Sequence, residues 1–382
     1  MEFLTSLIDT LQDQNEALNG LYYLVVVVFG IIAFYFMQRR AESSRDAVQD
    51  PVLTSISTDT KQRDNDEIAR LNKQYAASIE QLKSKKIAER VDAVYELEKI
   101  SIASNSHYSK VIKALTAHLR EHAVDPNKPN FKPYKDNQAI LTVLGRAENN
   151  GRVVFDLSET YLHNYIFAGD FVNANCKGAD FSNSDCRDAN FTGANCSTTN
   201  FTDAELMRTN FNNSDCRETN FTNSDCRGAN FSEADCANVI FTDTNCVGTN
   251  FTDADLMLAM FTNADCAWAT YTNTNCICAT FSYANCTEAS FSGANGTEAT
   301  FNNANCTSAS MSEANFTESI FNNANCTGAS FNDSNLTNAT FNKANCTGVT
   351  FANSNCTGAS FENTNTTDAI FTDANCTDAI GL

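Results

Sequence analysis

Proline disappears from this chain after Pro133 and histidine after His163. A long stretch without proline can sustain an unbroken ladder of backbone hydrogen bonds, since no residue in it lacks a donor. The four histidines are His107, His118, His122 and His163. His118 and His122 are spaced i, i+4, as helix-borne metal ligands would be, yet no third ligand accompanies them, and neither metal nor cofactor is expected. A Gly-rich phosphate loop, a Ser/His/Asp set and a clustered pair of acids are also missing, so the chain is not expected to be an enzyme. Basic residues are few, with 26 Lys and Arg against 46 Asp and Glu, for a net charge of −20. Residues 171–382 hold 23 of the acids and only 6 of the bases. Such a surface repels nucleic acid and anionic lipid and could attract basic proteins, so nucleic acid is not an expected partner.

Lys and Arg are absent from residues 1–20, which contain Glu2, Asp9, Asp13 and Glu16. A cleavable signal peptide would need a basic start, so the apolar, uncharged run 21–37 is read as a transmembrane helix. It lies at the short end of the ~17–25 residues that such a helix needs. Arg39, Arg40 and Arg45 follow at once. The positive-inside rule then puts residues 1–20 outside and everything after the span in the cytoplasm, as a single-pass protein of the cell membrane.

What is abundant is cysteine, and it is periodic. Phe171, Phe181, Phe191, Phe201 and Phe211 fall ten apart, with Cys176, Cys186, Cys196 and Cys216 between them. A small residue such as Ala174, Ala179 or Ser184 stands two places before each centre, and Asn or Asp usually follows it. A fixed short period is the mark of a repeat architecture. Leu157, Leu162 and Phe167 extend the register backward, but Phe167 to Phe171 is a step of four, which implies one deleted residue near the start of the array.

Upstream, residues 38–67 are polar and read as a linker or a loose juxtamembrane helix with Pro51 as a breaker, and residues 68–150 as a small helical domain. Asp136 is placed to cap a last helix over 137–146. The stretches Ile79-Glu80-Gln81-Leu82, Ala93-Val94-Tyr95-Glu96-Leu97-Glu98-Lys99-Ile100 and Gln138-Ala139-Ile140-Leu141-Thr142-Val143-Leu144-Gly145-Arg146, leading into Asp156-Leu157-Ser158, resemble the bacterial membrane-anchored pentapeptide-repeat proteins. The resemblance covers nearly the whole chain. It departs from the common pattern in centring its units on Phe and Cys rather than Leu.

That resemblance implies a mainly β fold for residues 151–382: a right-handed quadrilateral parallel β-helix, four units to a coil, with the small and central residues inward. Two opposite walls would carry Phe and the other two Cys. Leu206, Leu256, Leu336, Phe316, Gly296 and Thr366 interrupt the Cys positions, which marks them as packing sites rather than redox or metal sites. Gly296 and Phe316 should be stacked neighbours, the glycine vacating space for the ring. Cys278 alone is out of register and should sit at a corner as the thiol most open to reaction.

The later coils bear few charges and show repeated Asn–Thr pairs: Asn295/Thr297, Asn315/Thr317, Asn335/Thr337 and Asn355/Thr357. These are the candidate interaction surface. The far end lacks a cap, so Phe361, Phe371 and Leu382 are candidate contacts of a homodimer, as the resemblance also implies. The function expected is a membrane-tethered, non-enzymatic scaffold that presents an acidic rod to a protein partner. The alternatives are a DNA mimic acting on a type II topoisomerase and, more distantly, an ice-binding surface.

Overall fold

The computed structural model describes residues 30, 32–35, 37–39, 51–123, 133–147 and 153–382. Among these no helix is long and apolar enough to cross a membrane. The expected span 21–37 lies largely outside the described residues, as do the expected N-terminal segment 1–20 and the start of the linker.

From Pro51 to the array the described residues form four helices: α1 (Pro51–Leu82), α2 (Ile87–Ala103), α3 (Asn105–His122) and α4 (Lys135–Gly145). The expected linker 38–67 is thus helical from Pro51 onward. A proline in the first helical turn loses nothing by lacking an N–H, so the residue read as a breaker is a start. The chain divides into two compact units, residues 1–73 and 74–382.

In the second unit α2 packs on α3 and α4. Val94, Leu97, Val111, Leu115, Leu119, Ile140 and Leu144 are buried there. Asp136 does not cap α4, because it lies inside the first turn and α4 has no side-chain cap. Its buried carboxylate instead takes Arg90 Nε at 2.6 Å and His118 Nε2 at 3.4 Å. Burial acts to raise the Asp136 pKa, but the bonds from His118 and Arg90 and the guanidinium charge outweigh it and hold the carboxyl well below the usual range. His118 is therefore a buried partner of Asp136, whereas His122, stacked on it at 4.0 Å, stays on the exposed side of the helix.

The helical layer closes the first coil of the array. Gln138 serves as a surrogate strand: its Oε1 accepts the Ile166 N–H at 2.9 Å and its Nε2 donates to the Ile166 carbonyl at 2.8 Å. The Tyr165 hydroxyl accepts from the Tyr134 N–H and from Asn137 Nδ2. Phe155 and Tyr165 occupy inward positions where later units have Ala, and both are buried. Larger residues fit there because no coil lies beneath. The Asp170 N–H bonds the Gly145 carbonyl at 2.6 Å. A Cβ on Gly145 would overlap the Ala168 carbonyl and one on Gly169 the Gly145 carbonyl, so both glycines are required by close approach.

The array is a stack of parallel bridges. The first three join residues 19 apart (Asp156↔Asn175, Tyr161↔Asp180, Ile166↔Asp185), and from Asp170↔Asn190 every bridge joins residues 20 apart. The deleted residue is thereby located at the coil edge where Gly169 meets Gly145. Each unit turns with its third residue at positive φ, as at Asn173 (56°), Asp188 (58°) and Gly228 (62°). Asn, Asp and Gly tolerate that region best. Along the stack, Phe221 N bonds the Ile240 carbonyl at 2.7 Å and Ile240 N bonds the Thr219 carbonyl at 2.9 Å, a pattern repeated coil after coil.

Inside, the two Phe walls meet. Phe221 stacks on Phe241 at 4.8 Å and 6°, and meets Phe231 edge-on at 5.3 Å and 83°. Each ring therefore has face partners along the axis and edge partners across it, and such pairs contribute about 0.5–1.5 kcal/mol beyond burial. The Cys walls stay narrow so that the rings can reach each other. Phe316 breaks this rule, and two neighbours compensate. A Cβ on Gly296 would overlap the Phe316 ring. Met311 stands where a Phe would be, and Phe316 takes up the edge contact with Phe291 at 6.4 Å.

Gly296→Ala should destabilise the protein by about 1–3 kcal/mol, the usual penalty for overpacking. Adding Phe316→Leu should restore most of the loss in denaturant unfolding; if the single substitution is neutral, the pairing is not a packing contact. Asp136→Asn should cost on the order of 3 kcal/mol at neutral pH by leaving the half-buried Arg90 without its counter-charge. A depressed native pKa confers stability that is fully present above the unfolded Asp value of about 3.9 and is lost below it. The deficit of Asp136→Asn should thus be constant at neutral pH and shrink only as the pH falls below about 4.

Candidate interaction surface

With the central and small residues turned inward, three residues of each unit face out. Most of the Asn and Asp residues just before the centres accept from the backbone two residues on, as Asn195 Oδ1 does from the Ser197 N–H at 3.1 Å. This is the local turn that Asn and Asp favour.

The candidate residues Asn295, Thr297, Asn315, Thr317, Asn335, Thr337, Asn355 and Thr357 form one continuous ladder. Thr317 Oγ1 donates to Asn315 Oδ1 at 2.7 Å. Asn315 Nδ2 donates to the preceding coil, to Asn295 Oδ1 at 3.3 Å and Thr297 Oγ1 at 3.0 Å. Asn335 and Asn355 repeat the pattern. The opposite wall repeats it from Asn305 to Asn345. From Asn305 and Asn315 onward both amide hydrogens of each Asn, and the proton of each Thr hydroxyl, are used within the wall, while Asn295 at the start of its ladder serves as an acceptor. As a contact surface the ladder offers methyl groups and flatness, with its donors already engaged.

The cysteines are equally inward-looking. All are free thiols, and all are buried except the partly exposed Cys278 and Cys376. Burial pushes the Cys276 thiol up to about 12 and the Cys356 thiol up to about 11. Thiolate, the form that attacks and ligates, is therefore scarce at these two positions at neutral pH. No cluster of three or more His, Cys, Asp or Glu able to hold a metal exists among the described residues. Cys278 does lie at a corner, at φ 56°. Burial and the Glu298 carboxylate, 3.7 Å from its sulfur, raise its pKa, which works against the reactivity expected of it.

Charge is arranged in two zones. In the early coils Arg187, Arg217 and Arg227 clasp Asp185, Asp215 and Asp225 at 2.6 Å, and Arg208 pairs with Asp188 in the coil below. These pairs are exposed and add little stability. After Arg227 the sequence has no Lys or Arg until Lys343, yet it has 11 Asp and Glu. The later coils are sparse in charge but of one sign. The outward turn positions there also hold Met257, Leu258, Trp268 and Tyr283, all exposed. Sequence reasoning passed over them; their signal is a bulky apolar residue where every neighbouring unit has a polar or small one.

At the C-terminal end Phe361 is buried, whereas Phe371 is partly covered and Leu382 is 58% exposed. Phe361 is closed over by the tail, since its N–H bonds the Ile380 carbonyl and Gly381 (φ 84°) packs on its backbone. Of the three candidate contacts, Phe371 and Leu382 lie on the open end and Phe361 lies beneath it.

Comparison with known proteins gives a consistent picture. The profile of the family described as "Pentapeptide repeats" matches eight overlapping copies that run from residue 170 to 365. No curated protein matches the chain. Among solved structures, HetL, a pentapeptide-repeat protein involved in heterocyst differentiation regulation in the cyanobacterium Nostoc, is 20% identical over 59% of this chain and 88% of its own, with a TM-score of 0.29. QnrB1, a plasmid-mediated fluoroquinolone resistance protein, is 22% identical over 43% of this chain and 78% of its own, with a TM-score of 0.24. A pentapeptide-repeat protein of the Arabidopsis thaliana thylakoid lumen is 30% identical over 27% of this chain and 65% of its own, with a TM-score of 0.13.

If the Asn–Thr ladder holds the coils together, Asn315→Asp should cost about 1–2 kcal/mol by removing two donors and setting a carboxylate against two acceptors. Thr317→Val should cost about 1 kcal/mol. Urea unfolding checks both, and wild-type stability in the two variants would mean that the ladder is decoration.

Proposed function

Since the chain belongs to the pentapeptide-repeat family, we propose that it is a non-enzymatic scaffold, tethered to the cell membrane through residues 21–37, that holds its rod in the cytoplasm for a protein partner. The observation that carries this reading is the one-signed surface. From 228 to 342 the rod bears acids and no bases, so it favours a basic protein and disfavours nucleic acid or anionic lipid. The helical layer supports it from the other end. By covering the first coil it consumes that edge of the array, and leaves the walls and the far end as the surfaces on offer. The run 21–37 followed by Arg39, Arg40 and Arg45 supports the membrane location and its orientation. Association of two rods through the open C-terminal coil, at Phe371 and Leu382, completes the proposal.

A second reading, a DNA mimic that modulates a type II topoisomerase, is favoured by the same acidic stretch. Against it stands the wide spacing of the acids, 11 over residues 228–342. A duplex presents one charge per ~1.7 Å of axis, far denser than this.

Fractionation of cells that express the chain should leave it in the membrane pellet after a high-salt wash, and deletion of residues 1–38 should release it. Recovery of the intact chain in the soluble fraction would remove the tether from the proposal. Purified intact chain should leave gyrase supercoiling unchanged; inhibition at stoichiometric protein would favour the mimic.

A further inference from the structure

The exposed large apolar side chains of coils 171–360 are confined to residues 257–283: Met257, Leu258, Met260, Trp268 and Tyr283. Three of them share one corner and the wall that leaves it. The bridges Ile240↔Met260 and Met260↔Thr280 put Met260 in column with Ile240. The Leu258 N–H bonds the Ile277 carbonyl at 2.9 Å and the Asn238 N–H bonds the Met257 carbonyl at 2.9 Å, so the corner 257–258 stacks between 237–238 and 277–278. Ile240, Met257, Leu258, Met260 and Ile277 therefore make one apolar patch spanning three coils.

Folding does not explain this patch. Leu258 sits at φ 60°, a left-handed position that costs a branched, bulky residue roughly 1–2 kcal/mol. Most other units put Asn, Asp, Gly or Glu there. Being 46% exposed, Leu258 recovers little of that cost by burial. Met257 and Met260 are 37% and 42% exposed. A single apolar residue on a surface needs no explanation, but a contiguous cluster at strained positions points to contact with another molecule.

The rim says which kind. Asp255 lies two residues before Met257 and bonds its N–H at 3.0 Å. Asp253 occupies the preceding corner, and Glu298 stands on the patch's own corner directly above Cys278. No Lys or Arg occurs between Arg227 and Lys343 to neutralise them. We propose that this corner is the docking site for a segment of a partner protein that carries bulky apolar side chains flanked by Lys or Arg. The flexible, polarisable methionines suit adaptation to such side chains, and the acids supply steering and orientation. The inference rests on the scaffold reading only in requiring a protein partner, and it does not depend on where the chain resides.

The test uses the intact chain in zwitterionic nanodiscs, with empty discs as blank, and two labelled synthetic peptides of equal length and charge, one of Leu and Lys and one of Ser and Lys. At physiological ionic strength the Leu/Lys peptide should bind about tenfold more tightly, as loss of a hot-spot contact implies. The variant Met257→Thr/Leu258→Asn/Met260→Thr carries residue types found on the neighbouring coils. It should bind both peptides alike, at the Ser/Lys level, with a Tm equal to or above wild type because Leu258→Asn relieves the left-handed strain. The proposal falls if the variant keeps the preference for Leu/Lys, or if its Tm drops, since the patch would then be structural. It falls also if sedimentation shows that the wild type self-associates and the variant does not, since the occupant would then be a second copy of the chain. Membrane fractionation of the variant should be unchanged, so failure here and failure of the tether are separate results.

Discussion

Each coil must have the same width as the coil on which it rests, because the backbone bonds that join residue i to residue i+20 leave no slack between layers. Strands stack at about 4.8 Å whatever their side chains. The interior is then a column of fixed cross-section that every coil must fill with four central and four small residues. Two opposed Phe and two opposed Cys satisfy that volume, and the rings meet edge-on across the axis while stacking along it. Where one position changes, its neighbours must change with it. Phe316 on a Cys wall exists because Gly296 below it and Met311 beside it give up the space. The same rule explains why Leu can replace Cys at 206, 256 and 336. A redox or metal site would not permit that exchange.

The stacking rule also makes the two ends problems. A stack terminates in unpaired backbone groups and uncovered rings, and an exposed edge of that kind invites further pairing. At the N-terminal end the chain solves this with Gln138, whose side-chain amide presents the donor and acceptor that a missing coil would have supplied. Phe155 and Tyr165 fill the space that Ala leaves to the coil beneath elsewhere. The shortened first step brings Gly169 against Gly145, so that helix and coil meet backbone to backbone. At the C-terminal end only the tail over Phe361 performs this service, and Phe371 and Cys376 stay partly open. The first coil is thus covered by helix and side-chain bonds, whereas the last described coil is covered only in part.

Periodicity decided what could be read from the sequence. The five-residue register and the skipped residue before Phe171 follow from counting; with the four-unit coil that the family resemblance implies, so do the Phe and Cys walls and the accommodation of Phe316 by Gly296, because in a stack sequence distance is spatial distance. The helical layer has no such rule, and there the reading slipped. Pro51 looked like a breaker and opens a helix. Asp136 looked like a cap and is a buried counter-ion whose partners, Arg90 and His118, come from two other helices. Nothing local in the sequence announces a contact between residues 46 positions apart. Even within the array, the position of Asn and Thr on the outside was evident, while their mutual saturation was not. That depends on the donor geometry between coils, which composition does not reveal.

Regularity has a consequence for function as well. A residue repeated at every coil is there to satisfy its neighbours above and below, as the Asn–Thr ladders do coil after coil. A recognition surface must differ from its surroundings, and therefore has to lie where the pattern is broken outward without a packing reason. The inward breaks, at Gly296, Met311 and Phe316, compensate one another and cancel. The outward break at Met257, Leu258 and Met260 is not cancelled by anything in the chain. It keeps a leucine in a strained turn, places methionines in water and surrounds them with acids that have no bases to meet. An uncompensated departure in an otherwise self-satisfied stack implies that the compensation comes from outside the molecule.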